Sequence, residues 1–137
     1  YFEIEVKLGE KYYSYGYEVL LNTGEFRTEL LIELTSDNKE KIIFERDIVN
    51  GVYQLDGCLK AKGLYEKINN YAEDIRDDGT ALFLAIMNHS KKNLYEKYEK
   101  AAVLQEMYHW IKDCLDINYP DSPLIWRVWK MSRRYVR

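Results

Sequence analysis

Over its first 55 or so positions the chain repeats one device: runs in which apolar and polar residues alternate, at 1–8, 11–21, 26–34, 42–46 and 52–55, divided by short turn-like breaks. Successive side chains of a β-strand point to opposite faces, so a period of two is what a half-buried strand requires. Connections this short pair each strand with its neighbour in sequence, and the pattern predicts an antiparallel five-stranded meander. In the first run Phe2, Ile4, Val6 and Leu8 share one face, and Glu3, Glu5 and Lys7 the other. The second run sets Tyr13, Tyr15, Tyr17, Val19 and Leu21 against Tyr12, Ser14, Gly16, Glu18 and Leu20, a length that suits a central strand. The third alternates Phe26, Leu30, Ile32 and Leu34 against Arg27, Glu29 and Glu33.

Beyond Asp56 and Gly57 the period lengthens. Leu64, Ile68, Tyr71 and Ile75 recur at helical spacing after Gly63, and Asp77, Asp78 and Gly79 close that segment. Thr80 is placed to cap a short, almost wholly apolar helix over 81–88. A longer helix is expected over 94–115, with Leu94, Tyr98, Ala101, Leu104, Tyr108, Ile111 and Leu115 in one stripe and Val103, Met107, Trp110 and Cys114 beside it. An apolar face that wide packs under two neighbours or receives a partner. Pro120 and Pro123 break the pattern, and a final helix is expected from about Leu124. The expected class is α+β: a meander at 1–57, then three to four helices at 58–137 packed on it as one folded unit.

With 137 residues, 47% hydrophobic and 31% charged, the composition is that of a globular domain and argues against disorder. A formal net charge of −3 gives no overall attraction to nucleic acid, although an average can hide a local patch. Thirteen tyrosines suit either a thin sheet–helix core or a platform on which bases stack. Cys58 and Cys114 form no CxxC pattern, and neither a zinc site nor a disulfide framework is indicated. No signal-peptide pattern and no run of about 18 apolar residues is present, so a cytoplasmic location is expected. The sequence opens at Tyr1 in mid-strand pattern without a Met, which suggests excision from a longer polypeptide. Asn88-His89-Ser90 matches a glycosylation sequon and, without a secretion signal, counts as a chance match.

The chain contains no GxxxxGK[ST], GxGxxG, GxSxG or HExxH motif, which weighs against a self-contained enzyme; no catalytic, cofactor-binding or metal residue is assigned. Glu106 and His109 make one Glu-x-x-His pair, as in carboxylate-bridged metal bundles, but such a site needs a second pair that only a symmetric dimer would supply. Glu45 and Arg46 are expected to be a solvent-face charge pair worth under about 1 kcal/mol. Arg127, Lys130, Arg133, Arg134 and Arg137 form a C-terminal run without an acid. At 100° per residue, Arg127, Lys130, Arg134 and Arg137 share a face with Trp126, opposite Leu124, Val128, Met131 and Tyr135. Trp126, Arg127, Lys130, Arg134 and Arg137 are thus the candidate contacts for nucleic acid or a partner. Anionic lipid, solvent, or an acidic surface of the protein itself are the other readings.

Five stretches carry a family likeness: Phe2-Glu3-Ile4-Glu5-Val6, Tyr13-Ser14-Tyr15-Gly16-Tyr17-Glu18-Val19, Glu29-Leu30-Leu31, Ile43-Phe44-Glu45-Arg46 and Ala81-Leu82-Phe83-Leu84-Ala85-Ile86. They resemble ABC-type AAA ATPases, most nearly those related to the overcoming-lysogenization-defect and abortive-infection groups. The likeness covers about 1–115. It implies an internal segment, the antiparallel β-subdomain and helical insertion lying after the Walker A loop and before the signature and Walker B motifs. No family catalytic residue falls within the chain. ATP and Mg²⁺ would belong to the parent protein, and the segment itself would hold no cofactor. Its partners would be the rest of the ATPase head, a second copy in a homodimer, and a nuclease or other effector; a membrane is not among them. Bacterial phage defence is the family-level expectation. The alternative is a free-standing nucleic-acid-binding module using the tyrosine-rich sheet and the basic C-terminal helix.

Overall fold

In a computed structural model, which describes residues 1–114, the alternating runs form strands β1 (Phe2–Leu8), β2 (Lys11–Val19), β3 (Phe26–Leu34), β4 (Glu40–Asp47) and β5 (Val52–Leu55). All pairings are antiparallel, and the spatial order is β1-β2-β3-β4-β5, the meander that the short connections require. The two-residue turn between β1 and β2 uses Gly9 at φ 62°, a left-handed conformation that glycine adopts without steric cost. β2 has a neighbour on each side, as its length suggested.

The remaining described chain is helical: α1 (Leu64–Asp74), α2 (Phe83–Ile86), α3 (Lys92–Lys97) and α4 (Ala102–Cys114), with single 3₁₀ turns at Gly57–Lys60 and Glu99–Ala101. The fold is α+β. The helices cover one face of the sheet, where Leu59, Ile68, Phe83 and Leu104 join Tyr15, Leu31, Phe44 and Leu55 in a single core cluster. Pairing sets this inner face, because Ile4, Tyr15, Leu31 and Phe44 are successive cross-strand partners and Phe44 pairs in turn with Leu55. Between β3 and β4 the register shifts, Leu31 opposing Phe44 and Ile32 opposing Ile42. Ile43 is the extra residue of that bulge, and the local twist lets both Ile43 and Phe44 bury to 1% exposure.

Four expectations need correction. The helix-facing set of β3 is Glu29 and Leu31, so the apolar set Leu30, Ile32 and Leu34 lies on the outer face. Leu21 falls beyond the end of β2 and is 95% exposed. The helix expected over 81–88 is the short α2, and Thr80 does not cap it: the Thr80 amide and hydroxyl both donate to the Asp78 carboxylate. The helix expected over 94–115 is broken, with Tyr98 extended (φ −124°, ψ 90°) between α3 and the 3₁₀ turn. The break allows α3 to bury Leu94 and α4 to bury Val103, Leu104 and Met107 from different directions, an instance of packing overriding helical periodicity. The last position of that expected helix, Leu115, lies outside the described residues.

Candidate functional site

Arg46 is 2% exposed, which overturns the expectation that Glu45 and Arg46 form a solvent-face charge pair: Glu45 lies on the outer face opposite Leu30, and the partner of Arg46 is Glu29, 1% exposed. The two are direct cross-strand partners on the inner face, and Arg46 Nη2 lies 3.5 Å from Glu29 Oε2. Each then reaches from the sheet into the helical layer. Glu29 Oε2 accepts from the Phe83 amide at 2.7 Å, and Oε1 accepts from the Leu84 amide at 3.0 Å and the Tyr15 hydroxyl at 2.9 Å. The first amides of a helix lack intrahelical acceptors, so this carboxylate does for α2 what Thr80 was expected to do.

The guanidinium acts at the other end of the same connection. Arg46 Nη1 donates to the carbonyls of Ile75 at 2.6 Å and Asp78 at 3.0 Å, and Nη2 donates to the Ala81 carbonyl. Ile75 is the C-terminal flanking residue of α1, and its carbonyl accepts from the Asp78 amide at 3.1 Å as well as from Arg46. The rigid fork of arginine satisfies several acceptors at once, which a lysine could not. One ion pair thus fastens the end of α1, the connection over 75–82 and the start of α2 to the centre of the sheet. Phe44 and Phe83, stacked with centroids 3.9 Å apart, pack these same elements together through apolar contact.

Burial pushes the Glu29 carboxyl above the usual carboxylate range, while the Leu84 and Phe83 amides, the Tyr15 hydroxyl and Arg46 pull it back down. Burial, followed by the charge of Glu29, raises the Tyr15 hydroxyl well above the usual phenol value. With three hydrogen-bond donors and the Arg46 charge already on the carboxylate and almost no exposed surface, the pair is built to hold structure. A general base must reach a substrate proton, and this one is enclosed by its own fold.

The other sequence candidates fall apart in space or outside the described chain. Glu106 and His109 are both exposed on α4, and among the described residues no group of three or more His, Cys, Asp and Glu side chains could hold a metal ion. Trp126, Arg127, Lys130, Arg134 and Arg137 lie outside the described residues. The tyrosine-rich strand β2 turns Tyr13 and Tyr15 under the helices, at 8% and 2% exposure, so these rings are closed to stacking on bases. Asn88, the asparagine of the sequon, donates from Nδ2 to the carbonyls of Leu84 at 2.8 Å and Leu104 at 3.1 Å, tying α2 to α4. Cys58 and Cys114 are both free thiols. No helix among the described residues is long and apolar enough to cross a membrane.

The buried pair carried a signal that the reading of the sequence passed over. Glu29 stands two positions before Leu31, and Arg46 two after Phe44, so strict alternation with Leu31 and Phe44 inward places both charges inward as well. No family model matches the chain, and neither a curated protein nor a solved structure matches it.

Proposed function

We propose that this chain is a non-catalytic domain of an ABC-type AAA ATPase, shaping one lobe of the nucleotide-binding head and working through contact with the rest of that protein or an effector. The observation that carries the reading is architectural. A five-stranded antiparallel meander in strict chain order, followed by a helical layer on one face, supports the reading because the resemblance implies an antiparallel β-subdomain followed by helices. Three of the five stretches that bear the resemblance also meet at one place. Glu29-Leu30-Leu31 and Ile43-Phe44-Glu45-Arg46 supply the two halves of the buried ion pair, and the run of residues 81–86 supplies the amides it holds. A segment fastened this way is a rigid scaffold suited to transmitting a contact.

On this reading ATP and Mg²⁺ bind elsewhere in the parent protein, with phage defence as its setting. The alternative, a free-standing nucleic-acid module, loses Tyr13 and Tyr15 as stacking surfaces and keeps Tyr12, 54% exposed, with the basic sequence of 127–137. ATP turnover by the purified chain tests the proposal: the rate should equal the buffer background with Mg²⁺ present, and turnover above it would overturn the reading.

A further inference from the structure

The outer face of the sheet has an apolar centre and an acidic rim. Ile32 pairs with Ser14 on one side and Ile42 on the other, Leu30 with Gly16 and Glu45, and Leu34 with Tyr12 and Glu40. Glu3 and Glu5 border this centre on β1, and Glu18 lies on the same face of β2. Leu30, Ile32, Leu34 and Ile42 all stand outside the core cluster that the helices form, with Ile32 nonetheless buried at 6% exposure and the other three half-buried. An apolar row in the middle of a sheet, bordered mainly by carboxylates with Lys7 beside Tyr12 at one end, is complementary to a segment with one apolar and one basic side.

We propose that this face is the docking surface for the chain's own C-terminal sequence, residues 124–137. That sequence carries Leu124, Val128, Met131 and Tyr135 at helical spacing, with Arg127, Lys130, Arg134 and Arg137 on the other side and no acidic residue among them. Docked there, its apolar row would meet Leu30, Ile32, Leu34 and Ile42, and its cations would meet Glu3, Glu5, Glu18 and Glu45. Residues 115–123 connect it to α4, which already contacts β1, the strand that carries Glu3 and Glu5. Nucleic acid is a poor occupant of the same face, because its phosphates would approach carboxylates. The inference does not depend on the ATPase reading.

The test is paramagnetic broadening in the full chain carrying Cys58→Ser, Cys114→Ser and Ser132→Cys, with a nitroxide at position 132 and isotopically labelled methyl groups. A helix-side methyl spectrum matching that of the unsubstituted chain establishes that the fold is intact. Docking predicts that the methyls of Leu30, Ile32, Leu34 and Ile42 broaden strongly while those of Leu59, Ile68 and Leu104 are spared. Reversal of the tail charges by Arg127→Glu, Lys130→Glu and Arg134→Glu should abolish the effect, and Glu3→Lys with Glu5→Lys should restore it. Spared outer-face methyls, broadening on the helix side, or broadening only between a labelled chain and a separate spin-labelled chain would each overturn the proposal, the last by making a second copy the occupant.

Discussion

Replacing Arg46 with Met should be among the most damaging single changes available to this fold, and its cost can be worked from the pair's surroundings. The substitution leaves Glu29 charged at 1% exposure with its amide and hydroxyl donors but no counter-ion. It also removes the guanidinium donor from the carbonyls of Asp78 and Ala81, and one of two donors from that of Ile75, which keeps the Asp78 amide at 3.1 Å. Removing one member of a buried ion pair costs about 3–5 kcal/mol, because the surviving charge stays desolvated. Each buried carbonyl left without a donor adds on the order of 1 kcal/mol where water cannot replace it. Against a total stability of roughly 5–15 kcal/mol for a domain, the loss is a third or more. Urea unfolding of the full chain, followed by far-ultraviolet circular dichroism, reads it as a large fall in midpoint. Arg46→Lys should recover only part, since a point charge cannot serve three separate carbonyls. Arg46→Met combined with Glu29→Leu should cost less than the sum of its parts, with a coupling of about 1–3 kcal/mol. A loss below about 1 kcal/mol for Arg46→Met, the value of an exposed pair, would refute the reasoning.

Three further outcomes follow from the same structure. Burial pushes the Tyr13 and Tyr53 hydroxyls up to about 12 and raises Tyr15 well above the usual phenol value, so the folded state keeps protons that the unfolded chain releases. Stability should therefore fall as pH rises from about 10 toward 12, and urea midpoints that stay flat over this window would contradict it. Gly63 opens α1 at φ 80°, where an added Cβ would come within 3.2 Å of Tyr98 Oη, so Gly63→Ala should cost about 1–2 kcal/mol in thermal unfolding. Asn88→Ala removes both donors joining α2 to α4 and should cost about 1–3 kcal/mol, with amide exchange quickening first around Leu84 and Leu104.

The order of the strands was legible because each connection is too short to skip a neighbour, and the inward face was legible wherever the alternation has a single solution. Phe2 to Leu8 shows this plainly, with every apolar residue turned inward. The third strand misled because both of its faces carry apolar residues, and its inward face includes an acid. Only the cross-strand partner Arg46, distant in sequence, makes Glu29 tolerable there. The helical half was read less well for a related reason. α2 draws its N-terminal acceptor from β3 rather than from Thr80, and Tyr98 breaks a stripe whose spacing alone implied one continuous helix. In each case a contact remote in sequence decided the local outcome, and periodicity holds no record of such contacts. The basic sequence of 127–137 was equally plain in the sequence, and its acidic complement became visible only when pairing placed Glu3, Glu5, Glu18 and Glu45 on one face.

The central claim, that this is a working part of an ATPase head, is tested most directly by the intact mass and proteolytic peptides of the natural polypeptide carrying this sequence. The account predicts a mass several-fold above 16.4 kDa and a peptide containing GxxxxGK[ST] upstream of Tyr1. A natural product of about 16.4 kDa, or a longer one without a phosphate-binding loop, would contradict it.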